Sequence, residues 1–181
     1  MKAPKLLALM ALVLAAPVGA QETPSHFYVG ASTGKTYWRP GCATSAGCNN
    51  NPVSLRAFGG YQINSTFAVE GAFTNFGIVN DATSKLKGHA WEAAGLAFWP
   101  PDTAISLYGK LGWFYSRIEG TGALGGNKET DNGPTLGFGF EADLARRVAF
   151  RGEVQHYWNV GGTTLPKSNL NTVHGGLLWR F

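Results

Sequence analysis

The last eleven residues, NTVHGGLLWRF, constrain the fold of this chain more than any other segment. In an extended strand, Val173, Leu177, Trp179 and Phe181 all fall on one face. The intervening positions, among them His174 and Arg180, fall on the other face. A strand with one continuous apolar face fits the wall of a barrel closed within hydrocarbon, where no backbone edge is left unpaired. The segment therefore predicts a membrane-embedded sheet without free edges.

The first twenty residues have the pattern of a secretory signal peptide. Lys2 and Lys5 precede an apolar stretch at 6–16, which is too short to span a bilayer as a helix, and small residues occupy 18–20. We expect cleavage after Ala20. Residues 1–20 are then the signal peptide and 21–181 a single barrel domain.

Composition limits the classes of protein that remain. Without Lys2 and Lys5 the formal charge of +4 falls to +2, so that nucleic acid is not an expected partner. No later run of apolar residues is long enough for a membrane-spanning helix. Abundant glycine and aromatic residues with few charges fit a membrane barrel with a filled interior, and they also fit a soluble lipocalin-like barrel.

Alternation with a period of two predicts eight strands, at 27–37, 53–63, 66–76, 89–99, 104–118, 135–144, 147–160 and 170–181. The connections alternate between tight turns and longer polar loops at 38–52, 77–88, 119–134 and 161–169. Short turns at one end and long loops at the other are typical of bacterial outer-membrane barrels. The predicted fold is all-β, an eight-stranded antiparallel up-and-down transmembrane β-barrel in the outer membrane.

Two cysteines, Cys42 and Cys48, lie within the first long loop. In an exported chain a disulfide closing this loop is the expected state, and it would stiffen the loop rather than hold the fold together.

Several segments resemble the transmembrane domain of the outer membrane protein A family. They are FAVEGAF at 67–73, LYGKLG at 107–112, GFEA at 139–142, AFRGE at 149–153 and YW at 157–158. The resemblance implies an inward ion-pair cluster carried by Glu70, Lys110, Glu141 and Arg151, the same residues that alternation alone turns inward. Trp179 and Phe181 resemble the C-terminal signal by which such barrels are recognised for assembly. No periplasmic domain of that family is expected after Phe181.

The fourth strand departs from the family. Gly95 stands where the family has a lysine, so Arg56 is a candidate to supply the missing charge, and Glu153 faces inward by alternation. Two phases of this strand remain open. One turns Glu92 outward with Leu96, and the other turns Glu92 inward with Trp91 and Trp99 outward; a β-bulge near Gly95 could reconcile them.

Motifs for chemistry are weak. GTGALG at 120–125 matches a nucleotide-binding pattern but lies in a predicted loop with no helix after it. His156 faintly resembles part of the active site of lipid A deacylases, yet Trp158 occupies the position of their serine nucleophile. We therefore expect no catalytic residues, no metal and no cofactor.

These features predict a monomeric structural and surface-interaction protein with a plugged interior. Its expected partners are outer-membrane lipids, the barrel assembly machinery, and host or surface ligands that bind the loops. Two alternatives remain open, namely a narrow channel and a lipid A-modifying enzyme.

Overall fold

A computed structural model describes residues 26–39, 51–80, 84–101, 103–122, 128–160 and 168–181. Within these ranges the chain forms one closed antiparallel barrel of eight strands, as predicted. The strands are β1 (His26–Arg39), β2 (Val53–Gln62), β3 (Phe67–Asn80), β4 (Ser84–Trp99), β5 (Ile105–Gly122), β6 (Lys128–Ala145), β7 (Val148–Val160) and β8 (Ser168–Arg180). In the part of the chain so described, no helix is long and apolar enough to cross a membrane. The predicted signal peptide and the Cys42–Cys48 disulfide lie outside the described residues.

Each strand pairs with the next in sequence, and β8 pairs with β1 to close the ring. The closing ladder runs from Tyr28 opposite Arg180 to Arg39 opposite Asn169. The Phe181 amide also donates to the Phe27 carbonyl oxygen, at 2.9 Å. The C-terminal strand thus leaves no free edge, which is the condition that its apolar face imposed.

The two ends of the barrel differ. Connections 63–66, 100–104 and 146–147 lie at one end, here named the turn end, together with the start of β1 and the end of β8. The opposite end, here named the loop end, carries connections 40–52, 81–83, 123–127 and 161–167. The predicted loops 77–88 and 119–134 were wrong in extent, because β3 to β6 continue through most of both segments. Alternating hydrophobicity fades where lipid ends, whereas backbone pairing continues beyond it.

Outward and inward positions alternate along every wall. Trp91 and Trp99 are 61% and 72% exposed, whereas Glu92 between them is 7% exposed. The phase with Glu92 inward is therefore the correct one. The two tryptophans lie eight residues apart on one face, which corresponds to roughly 20 Å along the barrel axis at a rise of about 3.3 Å per residue and a tilt near 40°. That separation approaches the height of an outer-membrane apolar band.

No β-bulge is needed at Gly95, where pairing to both neighbouring strands is continuous. The register of β3 against β4 instead shifts between Asn75 and Ile78. Gly77 lies there with a φ of 81°, and a Cβ on it would approach the Val53 carbonyl oxygen to 2.3 Å. This bulge requires glycine for both reasons.

Candidate functional site

The barrel interior holds the residues that sequence alternation turned inward. Six of them are at most 7% exposed, and they are contributed by β2, β3, β5, β6 and β7: Arg56, Glu70, Lys110, Glu141, Arg151 and Glu153. Glu92 on β4 joins them. We name these seven residues the ionic network. A charge on the outer face of the same strands would lie in lipid at a cost of a few kcal/mol, about 2–4 for a basic residue at the midplane, so the network collects where the strands have no lipid contact.

Two cations and three carboxylates meet near the middle of the barrel. The Lys110 ammonium lies 3.0 Å from a Glu70 oxygen and 3.6 Å from a Glu153 oxygen. The Arg56 guanidinium lies 3.2 Å from Glu70 and 3.0 Å from Glu153. Both cations also contact Glu92. Each carboxylate is thus shared by two cations, which makes the group dependent on all of its members.

Arg151 connects this group to the turn end. Its guanidinium pairs with Glu70 on one side and Glu141 on the other. Three aromatic rings surround it, with the guanidinium carbon 4.6 Å from the Phe58 centroid, 5.1 Å from that of Tyr108 and 5.2 Å from that of Tyr28. Arginine suits this position because its flat cation can stack on rings and bind carboxylates at the same time.

The chain of ion pairs continues to the mouth of the barrel. Arg180 of β8 lies 2.9 Å from Glu141 and 2.6 Å from Asp143. These three residues line an open vestibule of about 430 Å³ at the turn end. Sequence alternation assigned Arg180 to the inner face but not to the network. The sequence pattern does not show that a side chain on β8 reaches past β7 to residues of β6.

Neutral side chains complete the hydrogen bonding of the network. The Tyr28 hydroxyl donates to Glu70 at 3.1 Å, that of Tyr108 to Glu153 at 2.6 Å, and that of Tyr157 to Glu92 at 2.9 Å. Gln155 donates from its amide to Glu92 at 2.7 Å and accepts from Arg56. Sequence reasoning did not assign these partners. Alternation predicts that these four side chains point inward. Which carboxylate each of them binds depends on the stagger between the strands.

An apolar cluster fills the interior on the loop-end side of the network. Tyr157 packs edge-on against Phe76 and Phe114, at centroid separations of 5.2 and 5.3 Å. The remaining members are Ala90, Ile118, Val160 and Leu170. Next to the network, a cavity of about 10 Å³ lined in part by Ser32 and His174 leaves room for about one water molecule.

Gly95 does not mark a missing inward charge, contrary to the prediction from sequence. Gly95 points outward between the buried Ala94 and Leu96, and a Cβ added to it would meet no atom within 4 Å. A lysine there would face lipid, so the interior has no missing charge at Gly95 for Arg56 to replace. Leu96 also points inward, because the interior near the turn end is itself apolar.

His156 and residues 120–122, which belong to the two weak chemical motifs, lie in strands of the barrel wall. The His156 Nδ1 atom lies 2.6 Å from the Asn171 side-chain oxygen, and its ring packs edge-on against Trp158 at 4.6 Å. Over the described ranges, no group of three or more His, Cys, Asp or Glu side chains is placed to hold a metal ion. The segment 120–122 belongs to strand β5 rather than to a phosphate-binding loop.

Solved structures share this architecture at low sequence identity. The attachment invasion locus protein Ail of Yersinia pestis is 16% identical, with a TM-score of 0.57 over 89% of this chain and 100% of that chain. Neisserial surface protein A is 16% identical, with a TM-score of 0.59 over 90% of this chain and 100% of that chain. The N-terminal β-barrel domain of Pseudomonas aeruginosa OprF is 9% identical, with a TM-score of 0.61 over 87% of this chain and 100% of that chain. These likenesses concern the fold.

Sequence comparison gives the family. Outer membrane protein A of Klebsiella aerogenes is 26% identical over 177 residues, a match that covers 90% of this chain and 51% of the relative. The chain thus spans about half the length of this curated relative. Residues 6–181 match the family described as outer membrane protein beta-barrel domain. With its closed eight-stranded barrel and lipid-facing aromatic exterior, this chain belongs to the outer membrane protein β-barrel domain family and is a protein of the bacterial outer membrane.

Proposed function

We propose that this protein has a structural and surface-interaction role, in which a sealed barrel holds contact surfaces at the outer side of the membrane. The filled interior is the observation that carries the proposal. The ionic network and the loop-end apolar cluster follow one another along the axis, and every member of both is at most 7% exposed. Eight-stranded barrels have interiors that side chains can fill, so a rigid support is a simpler use of this interior than a pore.

The loop end supplies the contact surface. Strands β3 to β6 extend beyond the aromatic exterior as a four-stranded wall, which ends in connections 81–83 and 123–127. The longer connection 40–52 leads into β2, the strand that pairs with β3. Long loops of such barrels lie on the extracellular side. One solved relative by fold points in the same direction, since it is named for attachment and invasion and was also solved with a heparin analogue.

Loop exchange tests this role. Segments 40–52 and 123–127 would each be replaced by Gly/Ser sequences of equal length, which leaves every described strand intact. Bacteria producing the exchanged proteins are expected to lose most of the binding to host cells or matrix that the parent protein confers. Exchange of 161–167 at the same end is the matched control. If both test exchanges bind as well as the parent, the surface-interaction role is wrong.

Electrical recording tests the sealed interior separately. Purified, refolded protein in a planar bilayer is expected to show no sustained current steps, because charged and aromatic side chains occupy the axis. Reproducible steps that change in size in a Glu70→Ala or Arg151→Ala variant would favour a narrow channel instead. Loss of adhesion without conductance, by contrast, would support the proposal in full.

A further inference from the structure

The outer wall carries a group of exposed basic side chains near the loop end. On the outward face of β4, β5 and β6, beyond the aromatic residues, lie Lys85, Lys87, Arg117 and Lys128, all exposed. We name these four residues the basic patch. Their strands are hydrogen-bonded neighbours, and Lys87, Glu119 and Lys128 face one another across the three strands. Because neighbouring strands are about 4.8 Å apart, the patch is only about 10 Å wide.

The patch has an excess of positive charge. Among the described residues Glu119 is its one carboxylate, at 3.7 Å from Arg117 and 3.2 Å from Lys128. Lys85 and Lys87 form no ion pair with a carboxylate of the described residues. On the other side of the barrel, the outward cation Lys35 of β1 lies lower in the wall, opposite Val53 and Val173. The basic side chains described beyond the aromatic exterior thus lie on three adjacent strands, β4 to β6.

The height of the patch fits the polar layer of a membrane. Trp91 and Tyr115 are register partners on the outer face, 61% and 53% exposed, and mark the upper part of the aromatic exterior. Arg117 lies two residues beyond Tyr115, which corresponds to about 5 Å along the axis at the strand rise and tilt of such barrels. By the same measure Lys87 lies about 10 Å and Lys85 about 15 Å beyond Trp91.

This depth selects the kind of lipid. The polar layer of an ordinary bilayer is about 5–7 Å thick on each side, so that it would cover Arg117 but not the two lysines. A headgroup that carries phosphates on sugars reaches higher from the same membrane surface. We propose that the basic patch binds the phosphates of an anionic glycolipid in the outer leaflet, with Arg117 nearest the acyl chains and Lys85 farthest from them.

A consequence is an oriented barrel with one preferred lipid neighbour. The lipid would contact the aromatic side chains of β4 and β5 with its acyl chains and the basic patch with its phosphates. Trp113 is suitably placed below the patch, 54% exposed, with its indole N–H donating to Asn132 at 3.3 Å. The site would hold one face of the protruding wall against the membrane surface.

Native mass spectrometry of the detergent-solubilised protein tests the proposal, with diphosphoryl lipid A as the probe. The parent is expected to retain this lipid in preference to phosphatidylcholine and to fully dephosphorylated lipid A, and to lose the preference as salt is raised. The double variant Lys85→Gln/Lys87→Gln should bind about 25-fold more weakly, at about fivefold per lysine near an anionic surface.

The matched control is Arg146→Gln/Arg147→Gln, which removes two exposed cations at the turn end. It should bind lipid A like the parent. Heat-dependent gel mobility verifies that each variant is folded. Equal weakening in both double variants, or equal retention of phosphorylated and dephosphorylated lipid by the parent, would overturn the assignment. Retention of soluble sucrose octasulfate at the patch with no preference for lipid A would overturn it in favour of a sulfated surface ligand.

Discussion

Replacement of Lys110 by methionine should be among the most destabilising single substitutions in the barrel. Its side chain is fully buried and is shared by Glu70, Glu92 and Glu153. At an effective dielectric constant near 20, the 3.0 Å contact to Glu70 alone corresponds to a Coulomb energy of about 5 kcal/mol. Desolvation offsets a large part of this attraction, but methionine leaves the carboxylates with too few cations. We expect a loss of about 3–5 kcal/mol in the free energy of unfolding.

A second substitution distinguishes charge balance from packing. Glu92→Gln in the Lys110→Met background removes one excess carboxylate and keeps an amide that can accept the Tyr157 hydroxyl. If charge balance is the cause, the double variant should regain about 1–3 kcal/mol relative to the sum of the two single effects. If the loss arises from the shape of the lysine chain, the two effects should simply add.

Urea unfolding in lipid vesicles provides the measurement, since the six tryptophans of the chain report burial. Gel mobility before and after boiling gives an independent measure of the folded fraction. Lys35→Met, an exposed change on β1, is the control and should stay within about 0.5 kcal/mol of the parent. A Lys110→Met protein that unfolds within about 1 kcal/mol of the parent would refute the reasoning, because it would mean that the buried carboxylates do not need this cation.

Further changes test the two faces of the wall. Gly139→Val should prevent folding, since a Cβ there would lie 2.4 Å from a backbone oxygen and 2.6 Å from the ring of Tyr108. Gly109→Val is the control, because a Cβ at this outward position would have nothing within 4 Å. A gel-mobility assay should show that the control variant folds normally. Val154→Arg, in the middle of the lipid face, should cost about 2–4 kcal/mol in vesicle unfolding, and Asn132→Arg, near the membrane surface, about 0–1. Similar costs at the two depths would contradict the lipid-facing assignment.

The sequence predicted most of the barrel because lipid imposes a strict rule on each strand. Residues that face lipid must be apolar, whereas the inward residues that alternate with them can be polar. Alternation alone therefore assigned Glu70, Lys110 and Arg151 to the interior. The same rule failed for the loop-end parts of β3 to β6, since both faces of a strand may be polar outside lipid. It also left β4 ambiguous, because Glu92 and Leu96 share the inner face and alternation of residue type disappears there.

The sequence by itself therefore determined the number of strands and the inward charges other than Glu92, which follow from local alternation, and the closed form, which follows from the need to pair every edge in lipid. Only the tertiary structure decided which charges meet. Lys110 and Glu92 lie on adjacent strands, whereas Arg56 reaches Glu153 across the barrel, and Arg180 reaches Glu141 from two strands away. Such contacts depend on the stagger of the strands around the closed ring, a property of the ring as a whole that no single strand encodes.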